Sequence, residues 1–169
     1  IYSVGAAPSS TSTTGVTVSS PDKDPGVPKA TMTYSDFERS SCKRLLRSLN
    51  GAPFNESGFT PKEGFSPAGL VHYIFTRIGH RVPKGTPEDL WNSFGVHMGK
   101  SYANFSPGDI LFFRLFSKSE QKGKLFVAIT LDGEYMVYPS FTRKKVVTRT
   151  YRDRFWRKRF VGAKRAFIE

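Results

Sequence analysis

The feature that most constrains how this chain folds is a change of apolar period at Ser106. Upstream, apolar residues recur at helical spacing; downstream, they form short β-rich runs bounded by turn residues. Ser35, followed three residues later by Glu38, predicts a capping box opening a first helix, which Gly51 stops. Phe37, Leu45, Leu46 and Leu49 form its expected buried stripe, and Cys42 lies beside that stripe, where packing is its expected role. After a loop punctuated by Gly and Pro from Gly51 to Gly64, a second helix is expected from Pro67 to about Ile78, with Gly79 behind it. Its apolar residues Leu70, Val71, Ile74, Phe75 and Ile78 make a face broad enough for a central helix. Thr86, Pro87 and Asp89 open a short third helix. Beyond Ser106, the turn Pro107-Gly108-Asp109 feeds a strand from Ile110 to Leu115, and Leu125 to Leu131 meets Asp132-Gly133, a strong hairpin signal, before Tyr135 to Tyr138. Further strands are expected at Val146 to Thr150 and Phe160 to Phe167. The order implies an α+β class, with N-terminal helices packed on a C-terminal antiparallel β-sheet. No internal repeat is present.

Within the 169 residues, positions 1–30 are rich in Ser, Thr, Gly and Pro, with Val and Ala at no regular period. Such a composition buries too little apolar surface to offset ordering, so this stretch reads as a disordered linker or tail and residues 31–169 as the domain. The chain begins at Ile1 without Met, as a trimmed or mature form would, and shows no signal-peptide pattern. Its apolar runs fall far short of the roughly 20 residues that span a bilayer. A single cysteine excludes an internal disulfide and leaves the redox compartment open. Lys and Arg exceed Asp and Glu by 26 to 14, a net charge of +12, which favours encounter with anionic partners.

Four stretches, in order, resemble the NlpC-type cell-wall peptidases, bacterial cysteine hydrolases of papain-like fold. Gly64-Phe65-Ser66-Pro67-Ala68-Gly69-Leu70-Val71 is similar to the family's nucleophile segment, where Gly-Phe-Asp-Cys-Ser-Gly-Leu-Val is usual. Ser106 to Phe113 resembles its loop and strand, Phe126-Val127-Ala128-Ile129 its His-Val-Gly-Ile strand, and Trp156 to Ala163 its closing strand. The resemblance runs from about Gly51 to Arg165 and implies a papain-like NlpC-type fold.

In that family a Cys at a helix start attacks an amide, a His activates it, and a polar residue orients the His. A helix N-terminus lowers a thiol's pKa, and the imidazole takes or shares the proton. Carried onto this sequence, the resemblance assigns the nucleophile position to Pro67, the base to Phe126 and the orienting residue to Tyr138. Proline and phenylalanine neither transfer protons nor form acyl intermediates. The remaining cleft positions fall on Phe54, Ser66 and Ala68, with Ser66 also a good helix cap. Of the three histidines, His72 is expected on the edge of the central helix, His80 in an exposed loop and His97 in a loop between Gly95 and Gly99. None has a metal-ligand partner at i+3 or i+4, so no metal site and no cofactor is expected.

Basic and aromatic residues crowd the last third, and Arg143, Lys144, Lys145, Arg157 and Lys158 are candidates for contact with an anionic surface; a specific nucleic-acid role is not expected. The leading expectation is a pseudoenzyme of this cysteine peptidase family, a binding or scaffolding domain for peptidoglycan or another cell-envelope protein, periplasmic, envelope-associated or secreted. An active hydrolase or amidase with a displaced nucleophile, Ser66 or Cys42, stands as one alternative. A basic module for nucleic acid or anionic membrane is another.

Overall fold

The computed structural model describes residues 33–101, 105–117 and 120–168, and the expected tail at 1–30 lies outside them. The first helix, α1 (Tyr34–Ser48), begins two residues earlier than its sequence suggests. Thr33 is the cap, its side chain accepting from the Asp36 N–H while Asp36 reaches back, so Asp36 fills the role expected of Glu38. This shift rotates the helix. Ser35, Glu38, Cys42 and Leu46 face inward, and Phe37, expected in the core, is exposed. Glu38 gains a partner there instead: its carboxylate meets Nε2 of His80 at 2.5 Å. His80 is therefore half-buried against Phe75, Phe94 and Phe167 rather than free in a solvent loop.

A two-stranded hairpin, β1 (Phe59–Thr60) and β2 (Gly64–Phe65), leads into α2 (Pro67–Ile78), which starts and stops as expected. Ser66 caps it, Pro67 fills its first turn, where no N–H is needed, and Gly79 ends it at φ 111°. Gly69 has a separate reason to lack a side chain: a Cβ there would collide with the carbonyl oxygen of Gly58. Next comes α3 (Pro87–Ser93), with the Thr86–Asp89 capping box.

The sheet contains β3 (Val96–Gly99), β4 (Ile110–Ser117), β5 (Glu120–Thr130), β6 (Tyr135–Ser140), β7 (Lys145–Thr150) and β8 (Phe160–Arg165). Its order is β3-β8-β4-β5-β6-β7, every pair antiparallel. β3 carries His97, placed in a loop by the sequence reading; its strand character comes from pairing with β8, Val96 opposite Arg165, and not from its local composition. Trp156 to Arg159, expected in the closing strand, is instead the end of a helix, α4 (Arg154–Arg159), capped by Asp153, and the strand runs only from Phe160 to Arg165.

Alternation along the strands gives the sheet two apolar faces. Ile110, Phe112, Val127, Ile129 and Val137 pack with Leu46, Leu70, Val71, Ile74 and Phe75 of the helices. Leu111, Phe113, Ala128, Met136 and Ala163 point the other way, under Tyr151 and Trp156. Each such fully buried large side chain contributes about 1.5–3 kcal/mol. The result is an α+β fold that pins the start of α2 against one end of the sheet.

Candidate functional site

A groove of about 480 Å³ opens where α2 begins. Phe54, Ser66, Pro67, Ala68 and Phe126, drawn from three separate stretches of sequence, all line it. The geometry follows from local rules. Ser66 adopts extended backbone, its Oγ accepts from the Gly69 N–H at 2.9 Å and donates to the Gly58 carbonyl at 3.1 Å, and Pro67 follows at the groove surface. The opposite wall forms where β5 and β6 part. They pair at Ile129–Val137 and Thr130–Met136, and the space beside Lys124, Leu125 and Phe126 is left to the groove.

Tyr138 is not part of the lining. It stands behind Phe126, ring centroids 5.4 Å apart and nearly perpendicular, and Trp156 of α4 contacts both, stacking on Phe126 at 5.6 Å. Burial pushes the Tyr138 phenol above its usual range, with Arg149 opposing. This aromatic group supports one wall and leaves the groove open.

The cysteine and the three histidines are not among the groove's described lining residues. Cys42 is fully buried, 3.5 Å from where a Cβ on Gly108 would sit, and burial pushes its thiol up to about 12. His72 packs against Phe59, His80 pairs with Glu38, and His97 lies against Trp91 at 4.6 Å. Among the described residues no group of three His, Cys, Asp or Glu is placed to hold a metal ion.

Sequence reasoning missed Glu56, Thr86, Leu115, Phe116, Lys124, Pro139 and Phe141, which complete most of the lining. Nothing local marks them; they meet because two hairpins end at the same edge of α2. Phe141 is held by Phe54, edge-on at 5.7 Å, and Lys144 lies 4.1 Å above its ring. Lys144 adopts φ 63°, and its carbonyl accepts from the Phe54 N–H, tying the β6–β7 turn to the groove wall. The five candidate basic residues, Arg143, Lys144, Lys145, Arg157 and Lys158, are all exposed, the first three around that turn and the last two on α4.

Residues 51–165 match the NlpC/P60 family. Over 138 residues the chain is 28% identical to gamma-DL-glutamyl hydrolase of Bacillus subtilis, covering 79% of this chain and 30% of that enzyme. An NlpC/P60 family protein of Bacillus cereus superposes with a TM-score of 0.63 at 20% identity, over 77% of this chain and 40% of its own. The Mycobacterium tuberculosis peptidoglycan hydrolase RipB gives 0.62 at 21% identity, over 90% and 74%. NlpC2 of Trichomonas vaginalis gives 0.67 at 16%, over 78% and 47%. The chain thus spans well under half the length of the first two relatives.

Proposed function

The chain belongs to the NlpC/P60 family, a family of cysteine peptidases and hydrolases, and from that premise we propose that it uses the family's cleft to bind without cutting. One observation carries this reading: the groove at the start of α2 is lined by Pro67 and Phe126, with no cysteine or histidine among its described lining residues. Catalysis of amide hydrolysis needs a nucleophile within hydrogen-bond reach of a base. Ser66 is the nearest hydroxyl to the start of α2, and it is committed to Gly58 and Gly69 as a helix cap. Cys42 is sequestered in the core.

In this reading Pro67, Phe126 and Tyr138 stand where the nucleophile, base and orienting group would be, and Phe54, Ser66 and Ala68 retain the cleft's outline. The domain acts as a binding or scaffolding module of the cell envelope, contacting peptidoglycan or an envelope protein. The exposed cations Arg143, Lys144, Lys145, Arg157 and Lys158 favour an anionic surface beside the groove. Peptidoglycan hydrolysis by RipB and γ-DL-glutamyl hydrolysis by the Bacillus enzyme name the bonds to offer. The full chain incubated with muropeptides and with a γ-DL-glutamyl polymer is expected to release no product by mass spectrometry. Turnover that disappears in Ser66→Ala or Cys42→Ala would instead establish a displaced nucleophile.

A further inference from the structure

The groove's lining identifies the chemistry of what fills it. Its volume, about 480 Å³, lies in the range of small-ligand sites. Leu115, Phe116, Leu125, Phe126, Pro139 and Phe141 give it a largely apolar wall. Phe116 and Phe141, 60% and 61% exposed, add open apolar surface to the lining. Among the described lining residues, the two hydroxyls are spent. Ser66 donates to the Gly58 carbonyl, and Thr86 donates to the Asp89 carboxylate at 3.1 Å, so neither has a proton left for a ligand. A ligand dense in amides and carboxylates, such as a wall stem peptide, would find few side chains here to satisfy its polar groups.

Charge resolves the polar end. Lys124 is exposed in the lining, and Lys144 stands over Phe141, against a single carboxylate among the described lining residues, Glu56. The chain as a whole carries +12. We propose that the groove binds a single-chain anionic amphiphile, its hydrocarbon chain lying against Phe116, Leu125, Phe126 and Phe141 and its carboxylate at Lys124. This rests on the non-cutting reading of the same cleft and assigns the groove itself to an amphiphile, leaving contact with peptidoglycan or an envelope protein to the surface around it.

Isothermal titration of the full chain with dodecanoate, kept below its micelle-forming concentration, tests the proposal. One-to-one binding with a negative heat-capacity change is expected, as for burial of apolar surface. Phe116→Ser and Phe141→Ser, both at exposed positions and checked for folding by circular dichroism, are expected to weaken binding about tenfold. Lys124→Glu is expected to weaken dodecanoate about two- to fivefold while leaving dodecyltrimethylammonium binding no weaker. Absence of dodecanoate binding, or binding indifferent to both phenylalanines, overturns the proposal. Binding confined to anionic vesicles, with none to dispersed dodecanoate, also overturns it and moves the contact to the outer surface. Displacement of dodecanoate by a muropeptide that stays uncut removes the apolar ligand but leaves the non-cutting cleft standing. A muropeptide that is cut overturns the reading beneath both.

Discussion

On the proposed reading, Cys42 and Pro67 divide between them what the family's chemistry asks of one residue. The thiol is present but sits in the core, on α1 beside the turn at Gly108; the helix start is present but bears a proline, whose side-chain carbons carry no nucleophilic atom. Burial, opposed by Arg39 and reinforced by Asp109, raises the Cys42 pKa from 9.0 to about 12. The folded state therefore holds a proton that the unfolded chain loses above pH 9, so the unfolded chain binds fewer protons there and stability falls as pH rises from about 9 towards 12. Below pH 9 this contribution is fully present. Tyr138 and Tyr151, also raised by burial, tilt the curve the same way, and Lys164, lowered by burial, tilts it the other. Comparison with Cys42→Ala isolates the thiol: urea unfolding of the variant is expected to show a shallower loss of stability over that window. The wild-type thiol is also expected to resist labelling at neutral pH until the protein unfolds, and prompt labelling in the native state would contradict the burial.

At the scale of elements, the joints between α1, the 105–110 turn and β8 meet at Asp109, whose side chain is 1% exposed. Arg165 donates to both of its oxygens, at 2.9 and 2.8 Å, the Ser106 N–H donates at 2.8 Å, and Arg39 lies 3.6 Å away. Arg39 also donates to the carbonyls of Pro107 and Phe167, so one carboxylate organises three segments distant in sequence. The hydrogen bond to Asp109 raises the Arg165 guanidinium above its usual range. Asp109→Asn keeps the shape but removes the charge, and is expected to lower stability by about 3 kcal/mol in urea unfolding. The sequence displayed Asp109 only as part of a turn, because its partners lie on other elements. The same limit separates the legible elements from the rest. α2 carries its own cap, proline and terminal glycine within a few residues, and the hairpin at Asp132-Gly133 carries its own turn, so both were readable locally. α1 is capped by Thr33 and Asp36 rather than by the Ser35–Glu38 pattern read from the sequence, and burial of Glu38 beside His80 accompanies the change. β3 is a strand because β8 lies beside it, a fact absent from Val96 to Gly99 themselves. α4 did have a signal, Asp153 accepting from the Trp156 N–H, that the family resemblance to a strand obscured.

For the whole molecule, the layered scaffold and the chemistry are separable, because different residues carry them. The core on both faces of the sheet depends on periodic apolar positions that do not include Pro67, and Phe126 packs only against its edge. On the proposed reading, which residues stand at Pro67 and Phe126 is a matter of residue identity, whereas the openness of the groove is not: it depends on β5 and β6 parting after Ile129–Val137 and on Trp156 backing Phe126 from behind. If the scaffold still presents the helix start as a cradle for a thiolate, chemistry can be returned to it one group at a time. Pro67 is half-buried on the groove, at the first position of α2, where unpaired N–H groups and the helix dipole favour negative charge. Pro67→Cys is expected to introduce a thiol with a pKa below the unperturbed value of about 8.5, read from the pH dependence of labelling by a thiol reagent. Because Cys42 stays hidden, the stoichiometry at neutral pH should be one thiol per chain. Adding Phe126→His is expected to lower that pKa further, by placing a protonatable ring on the facing wall. A new thiol that titrates at or above about 8.5, and ignores the added imidazole, would mean that the helix start carries no electrostatic bias towards a thiolate.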